Sequence, residues 1–225
     1  MLKPYWFMTF LASMSLQAIT AHADAYGLPA KLATQKPLTV RVNGLAMEVR
    51  SALVDSPPES LADAILEAWR DAGHAGLRFQ ADPERTVLGR QRGPVHETVT
   101  LLPAEDPRTT TVVHASNDSR QTPSSVPAPP FTLPRGLKVM RTIEQVSRSR
   151  PEITFKISSE LQPRETVERL RAALLDARWI LTSRVTGIES SSILSAVRAK
   201  QEMTIIVADR DGETRVTLEI TGHAP

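Results

Sequence analysis

Apolar and polar residues alternate along much of this chain, and in two places the alternation gives way to apolar residues three and four positions apart. The alternating runs predict strands and the other two predict helices. Leu38–Val42 and Leu45–Val49 alternate on either side of Asn43-Gly44, a pair that suits a type I′ hairpin because both turn positions need positive φ. Ser56, Pro57 and Glu59 form a helix start, with Ser56 as cap and Glu59 completing a capping box. Leu61, Ile65, Trp69 and Ala72 then share one helical face, and Gly73 is a natural stop. Short strands follow at 77–79 and 86–88, with Gly89–Pro94 as a basic turn between them and the β-branched runs Glu97–Leu102 and Thr109–His114.

The stretch Ser119–Arg135 interrupts this order with Pro123, Pro127, Pro129, Pro130 and Pro134. Proline fixes φ and removes a backbone donor, so the stretch reads as an extended, semi-rigid spacer. Beyond it, Leu137–Val146 places Leu137, Met140 and Ile143 three apart, compatible with a helix or an irregular strand. Glu152–Ile157 alternates as a strand. A second helix opens at Pro163 with Val167, Leu170, Leu174 and Ala177 on its apolar face. Strands are expected at Trp179–Val185, Glu202–Ala208 and Thr214–Thr221, the last two joined by an Asp211-Gly212 turn.

One constant displacement lays Met47 and Val49 on Ile153 and Phe155, Pro57 and Glu59 on Pro163 and Glu165, Leu88 on Leu194, Arg92 on Arg198, and Val99 on Ile205. The pattern therefore predicts an α+β fold of two tandem small two-layer α/β sandwich repeats, each with one helix packed on an antiparallel-rich sheet, joined by a Pro-rich linker. The expected boundaries are a signal peptide at 1–23, a first repeat at 38–116, a linker at 117–136 and a second repeat at 137–222.

Composition adds a compartment. Lys3 is the one charge before Asp24, an apolar run extends from Tyr5 to about Ile19, and Ala21-His22-Ala23-Asp24-Ala25 offers small residues at cleavage spacing. This is the three-part pattern of a secretory leader, with cleavage expected near Ala23 or Ala25 and a periplasmic or secreted mature chain without a transmembrane helix. The apolar run is shorter than the ~20 residues of a spanning helix. The 225 residues include no cysteine, which excludes disulfides, thiolate metal sites and thiol nucleophiles. A net charge of +2 gives no reason to expect nucleic acid as a partner.

Candidate chemistry is sparse. No two histidines stand four apart, His96-Glu97 reads as an edge position, Ser190-Ser191-Ser192 as a polar loop, and Asp209-Arg210-Asp211-Gly212 as a turn rather than a calcium loop. No catalytic residue, metal ligand or cofactor is expected. The residues singled out are basic: Arg90 and Arg92 in the first half, and Arg141, Arg148 and Arg150 in the second, as docking patches for an acidic protein, a glycan or lipid head groups. The sequence thus reads as an exported non-enzymatic interaction or scaffold module serving envelope, pilus or secretion-complex assembly. The alternative is an exported enzyme or small-ligand binder with its site between the two repeats.

Overall fold

A computed structural model describes residues 27–74, 76–146, 151–186 and 191–222. The expected leader, Arg148, Arg150 and Ser190 lie outside the described residues. The elements in order are α1 (Ala30–Ala33), β1 (Leu38–Val42), β2 (Leu45–Val54), α2 (Pro58–Asp71), β3 (Arg78–Asp82), β4 (Arg85–Arg92), β5 (Val95–Pro103) and β6 (Thr110–Asp118). They continue as β7 (Leu137–Gln145), β8 (Glu152–Ser159), α3 (Pro163–Asp176), β9 (Ile180–Thr186), β10 (Ser191–Arg198), β11 (Gln201–Arg210) and β12 (Glu213–Gly222).

The strand order is β3-β4-β5-β6-β2-β1-β7-β8-β12-β11-β10-β9, a single twelve-stranded antiparallel sheet. This corrects the expectation of two separate helix-on-sheet repeats. Of the described residues 52% are strand and 17% helix, so the sheet dominates the architecture. The physical reason lies in β1. It was expected to sit in the first repeat, but its register partners are in β7: Val40 opposite Gln145, Arg41 opposite Glu144 and Val42 opposite Ile143. Local alternation says that a segment is a strand, not which distant strand completes its hydrogen bonds.

The chain forms two compact units. Among the described residues, one comprises those up to Pro37 and within Val49–Ser119; the other comprises Leu38–Glu48 and those from Arg120 onward. In the first, α2 covers a core of Leu61, Ile65, Leu66, Trp69, Leu88, Val99, Leu101 and Val112. In the second, α3 covers Phe155, Ile157, Val167, Leu170, Leu174, Leu194, Ile205, Val207 and Leu218. Each fully buried side chain of this size contributes about 1.5–3 kcal/mol against its exposed state, and these sums oppose the ordering of the backbone.

Local signals explain the element ends. Asn43 (φ 49°) and Gly44 (φ 82°) both take positive φ, as the type I′ turn between β1 and β2 requires. A Cβ at Gly44 would lie 2.3 Å from the Ser124 carbonyl oxygen, so the position also demands glycine for space. The expected capping box at α2 does not form. Pro57 is the cap residue and no side chain caps the helix. The Ser56 carbonyl instead accepts the Thr110 hydroxyl at 2.6 Å, and Pro58 opens the helix with a preset φ and no amide needing a partner. Both long helices end in Schellman motifs. Gly73 and His74 donate to the Arg70 and Trp69 carbonyls, and Arg178 and Trp179 to the Leu175 and Leu174 carbonyls.

The Pro-rich stretch is not a free spacer. Phe131 is buried in the core of the second unit, with Leu133 packed against it. Ser124 donates both its amide (2.9 Å) and its hydroxyl (3.1 Å) to the Gly44 carbonyl. Prolines keep the strap extended, and these contacts fix it to the second unit.

Candidate functional site

The open choice at Leu137–Val146 resolves to a strand, β7, with an irregularity that builds the site. Val139 lies opposite Ile157 and Arg141 opposite Lys156, so Met140 is an extra residue, a β-bulge. In an unbroken strand, residues three apart point to opposite faces. The bulge puts Lys138 and Arg141 on the same face and leaves Met140 exposed between them at 54%. Leu137 and Val139 keep their places against the core.

The second strand of the site is β8. Phe155 and Ile157 are buried on the side of α3, so Lys156 points to the opposite, outer face. There the register places Arg141 on one side of it and Thr217 on the other, and the Lys156 Nζ donates to the Thr217 Oγ1 at 3.0 Å. Two residues on, Ser158 is flanked in the same way by Lys138 and Arg215. Arg210, at the end of β11, is close enough to act on the Lys156 charge. Lys138, Arg141, Arg210 and Arg215 are exposed, whereas Lys156 is half-buried.

This arrangement is electrostatically unfavourable by itself. Like charges directly opposite across antiparallel strands repel, and Arg141 faces Lys156. Burial holds the Lys156 amine below its ordinary pKa, the Glu219 charge opposes that shift, and Arg210 and Arg141 add to it. Arg215 pairs with Glu213, which neutralises one cation of the group. The far end of the same face is acidic: Glu152 sits opposite Thr221, and Glu219 opposite Thr154. Burial first, and the Glu219 charge second, push the Glu152 carboxyl above the ordinary carboxylate range.

The residues chosen from the sequence divide. Arg141 lies in this patch. Arg92 is on the other unit, with its side chain 44% exposed and 3.5 Å from the Glu97 carboxylate. Arg90 is not on a turn but inside β4. It is buried, pairs with Glu97 and stacks over Trp69 at 4.5 Å from the ring centroid. Glu97 is likewise no edge residue: β5 lies between β4 and β6, and the His114 Nε2 stands 4.0 Å from the same carboxylate. Alternation with Leu88 and Val99 is what turns Arg90 and Glu97 inward. Ser191 and Ser192 belong to β10 rather than to a loop. The sequence reading missed Lys156, Arg210 and Arg215 as members of one group. Their shared strand phase was available, but the pairing that brings the strands together was not.

Among the described residues no group of three or more His, Asp or Glu is placed to hold a metal, and no helix is long and apolar enough to cross a membrane. No family model matches the chain, and no curated protein matches it. Among solved structures, the crystal structure of MucB in complex with MucA(peri) aligns over 84% of this chain and 87% of that one at 11% identity. Its TM-score of 0.16 carries no inference about fold or partner.

Proposed function

We infer that the protein is an exported, non-enzymatic interaction module that docks an acidic segment of an envelope or secretion-complex protein on the outer face of its second unit. The observation that carries this reading is the opposed pair Arg141–Lys156: the bulge at Met140 turns Arg141 to the face of Lys138, and β11 and β12 add Arg210 and the Glu213-paired Arg215. A fold gains nothing from opposing two cations, whereas an anionic partner converts their repulsion into attraction. Met140 adds an exposed, adaptable apolar contact beside the charges. Export is read from the apolar N-terminal segment and its small-residue cleavage spacing.

The test is affinity capture from a cross-linked envelope extract, comparing the natural protein with Arg141→Glu/Lys156→Glu. Loss of the same specific proteins on charge reversal, and their release at higher salt, is expected. Equal recovery by both forms would reject this face as the binding surface.

A further inference from the structure

We propose that β3 pairs with β3 of a second copy of the chain, forming a symmetric antiparallel dimer across this edge. The inference is independent of the acidic-segment reading, because it uses a different unit and different residues. β3 stands at one end of the strand order, and its five residues, Arg78-Phe79-Gln80-Ala81-Asp82, are all exposed. Its register with β4 runs without a bulge from Arg78 opposite Gly89 to Asp82 opposite Arg85. Neither a proline nor a β-bulge interrupts its five residues, and the charges it carries, Arg78 and Asp82, are of opposite sign.

The backbone phase selects which groups are free. Asp82 and Arg85 form the pair that closes the turn, and opposed residues alternate between hydrogen-bonded and non-bonded pairs. Asp82, Gln80 and Arg78 therefore direct their backbone groups to β4, and Phe79 and Ala81 direct theirs outward. A two-fold axis through Gln80 places Phe79 opposite the Ala81 of the second copy, and Ala81 opposite its Phe79. Both outward donors and both outward acceptors of each strand are then satisfied.

The side chains choose the same register. Arg78 of each copy falls opposite Asp82 of the other, giving two cross-strand ion pairs. Moving the axis to Phe79 leaves both charges without an opposite partner, moving it to Ala81 carries Arg78 past the strand end to the turn residue Glu84 and sets Asp82 opposite Gln80, and in-register parallel pairing stacks Arg78 on Arg78. Phe79 is 58% exposed and, among the described residues, the one aromatic with a largely exposed ring. It lies on the face of Leu88 and, in this register, beside the small Ala81 of the other copy, which leaves room for its ring. Asp82 also accepts the turn amides of Glu84 and Arg85 on Oδ1 at 2.9 and 3.0 Å and the Arg85 Nε on Oδ2 at 3.4 Å, which fixes its carboxylate at the strand end, where the second copy's Arg78 joins the exposed Arg85 as a second cation.

Sedimentation equilibrium of the exported protein, purified after its natural processing, supplies the test. The natural chain is expected to show a concentration-dependent monomer–dimer equilibrium. Arg78→Asp and Asp82→Arg should each weaken the dimer by about tenfold or more, since each turns two attractive pairs into two repulsive ones. An equal mixture of those two variants should dimerise again, because each supplies the charge the other needs, and so should the doubly exchanged chain. Ala81→Pro removes an outward donor while sparing the β3–β4 ladder, so it should abolish the dimer without loss of circular dichroism. It carries the test together with Arg78→Asp should Asp82→Arg disturb the turn. A natural chain that stays monomeric overturns the proposal. So does a dimer that survives Arg78→Asp and Ala81→Pro, or one that is lost instead on Ile180→Glu at the opposite end of the strand order.

Discussion

Arg178 occupies a position that glycine ordinarily fills. It follows α3 at φ 61°, donates to the Leu175 carbonyl and completes the Schellman turn. The corresponding residue after α2 is Gly73, at φ 70°. A side chain in the left-handed region meets its own backbone, and the exposed arginine has no evident packing to offset that cost. Arg178→Gly should stabilise the second unit by about 0.5–1 kcal/mol, read as a higher urea midpoint at unchanged slope. Glu97 is the opposite case. It is buried with Arg90 and near His114, so Glu97→Ala removes the carboxylate from a buried guanidinium and should cost about 3–5 kcal/mol. The sequence made Gly73 legible and Arg178 not, because positive φ is advertised by glycine and hidden by arginine. It also misplaced Arg90. A basic residue in a run with Gly89 and Gly93 suggests a turn, but its two-residue spacing from Leu88 was the truer signal.

At the scale of elements, helices and hairpins were readable because their determinants are local. The α2 and α3 apolar faces, the Asn43-Gly44 turn and the Asp211-Gly212 turn each depend on a few neighbouring residues. Two elements were not local in this sense. The bulge at Met140 exists only relative to β8, and it converts the three-residue spacing of Leu137, Met140 and Ile143 from a helical hint into a strand with an extra residue. The Pro-rich strap shows its extended backbone in its composition, yet its anchoring by Phe131 and Ser124 depends on surfaces supplied by distant strands. Phe131→Ala should therefore destabilise the second unit by about 3–5 kcal/mol, where a free spacer would give no change; chemical denaturation followed at Trp179 decides between them. Glu152 on β8 adds a pH dependence. Its folded carboxyl holds a proton more tightly than the unfolded chain does, because burial and Glu219 disfavour its charge. Stability contributed at low pH is thus lost as pH rises from the ordinary carboxylate value through the raised one. Glu152→Gln should raise stability near about pH 7 and leave it almost unchanged near about pH 4, as denaturation at the two pH values will show.

Across the whole molecule, the feature least visible in the sequence is that Leu38–Glu48 belongs with residues from Arg120 onward. Val42 pairs with Ile143, and the Asn43 side chain accepts the Thr142 amide at 2.8 Å while the Asn43 amide donates to the Thr142 carbonyl at 2.9 Å. No local periodicity encodes a partner so distant along the chain, and the loop it closes must lose its entropy before these contacts form. The pairing nevertheless makes a sharp prediction. Val40 is buried and lies opposite Gln145. Val40→Asp places a charge in that buried position and should lower protection from hydrogen exchange in β7 and β8, in the second unit, while amides of β4 and β5 in the first unit keep theirs. A chain organised by sequence proximity would show the reverse, with the loss in the first unit. Site-resolved exchange under native conditions separates the two, because each amide reports the opening of its own cooperative region. Loss confined to β7 and β8 would establish that this early hairpin stabilises the later part of the chain, where Arg141 and Lys156 are held opposite each other.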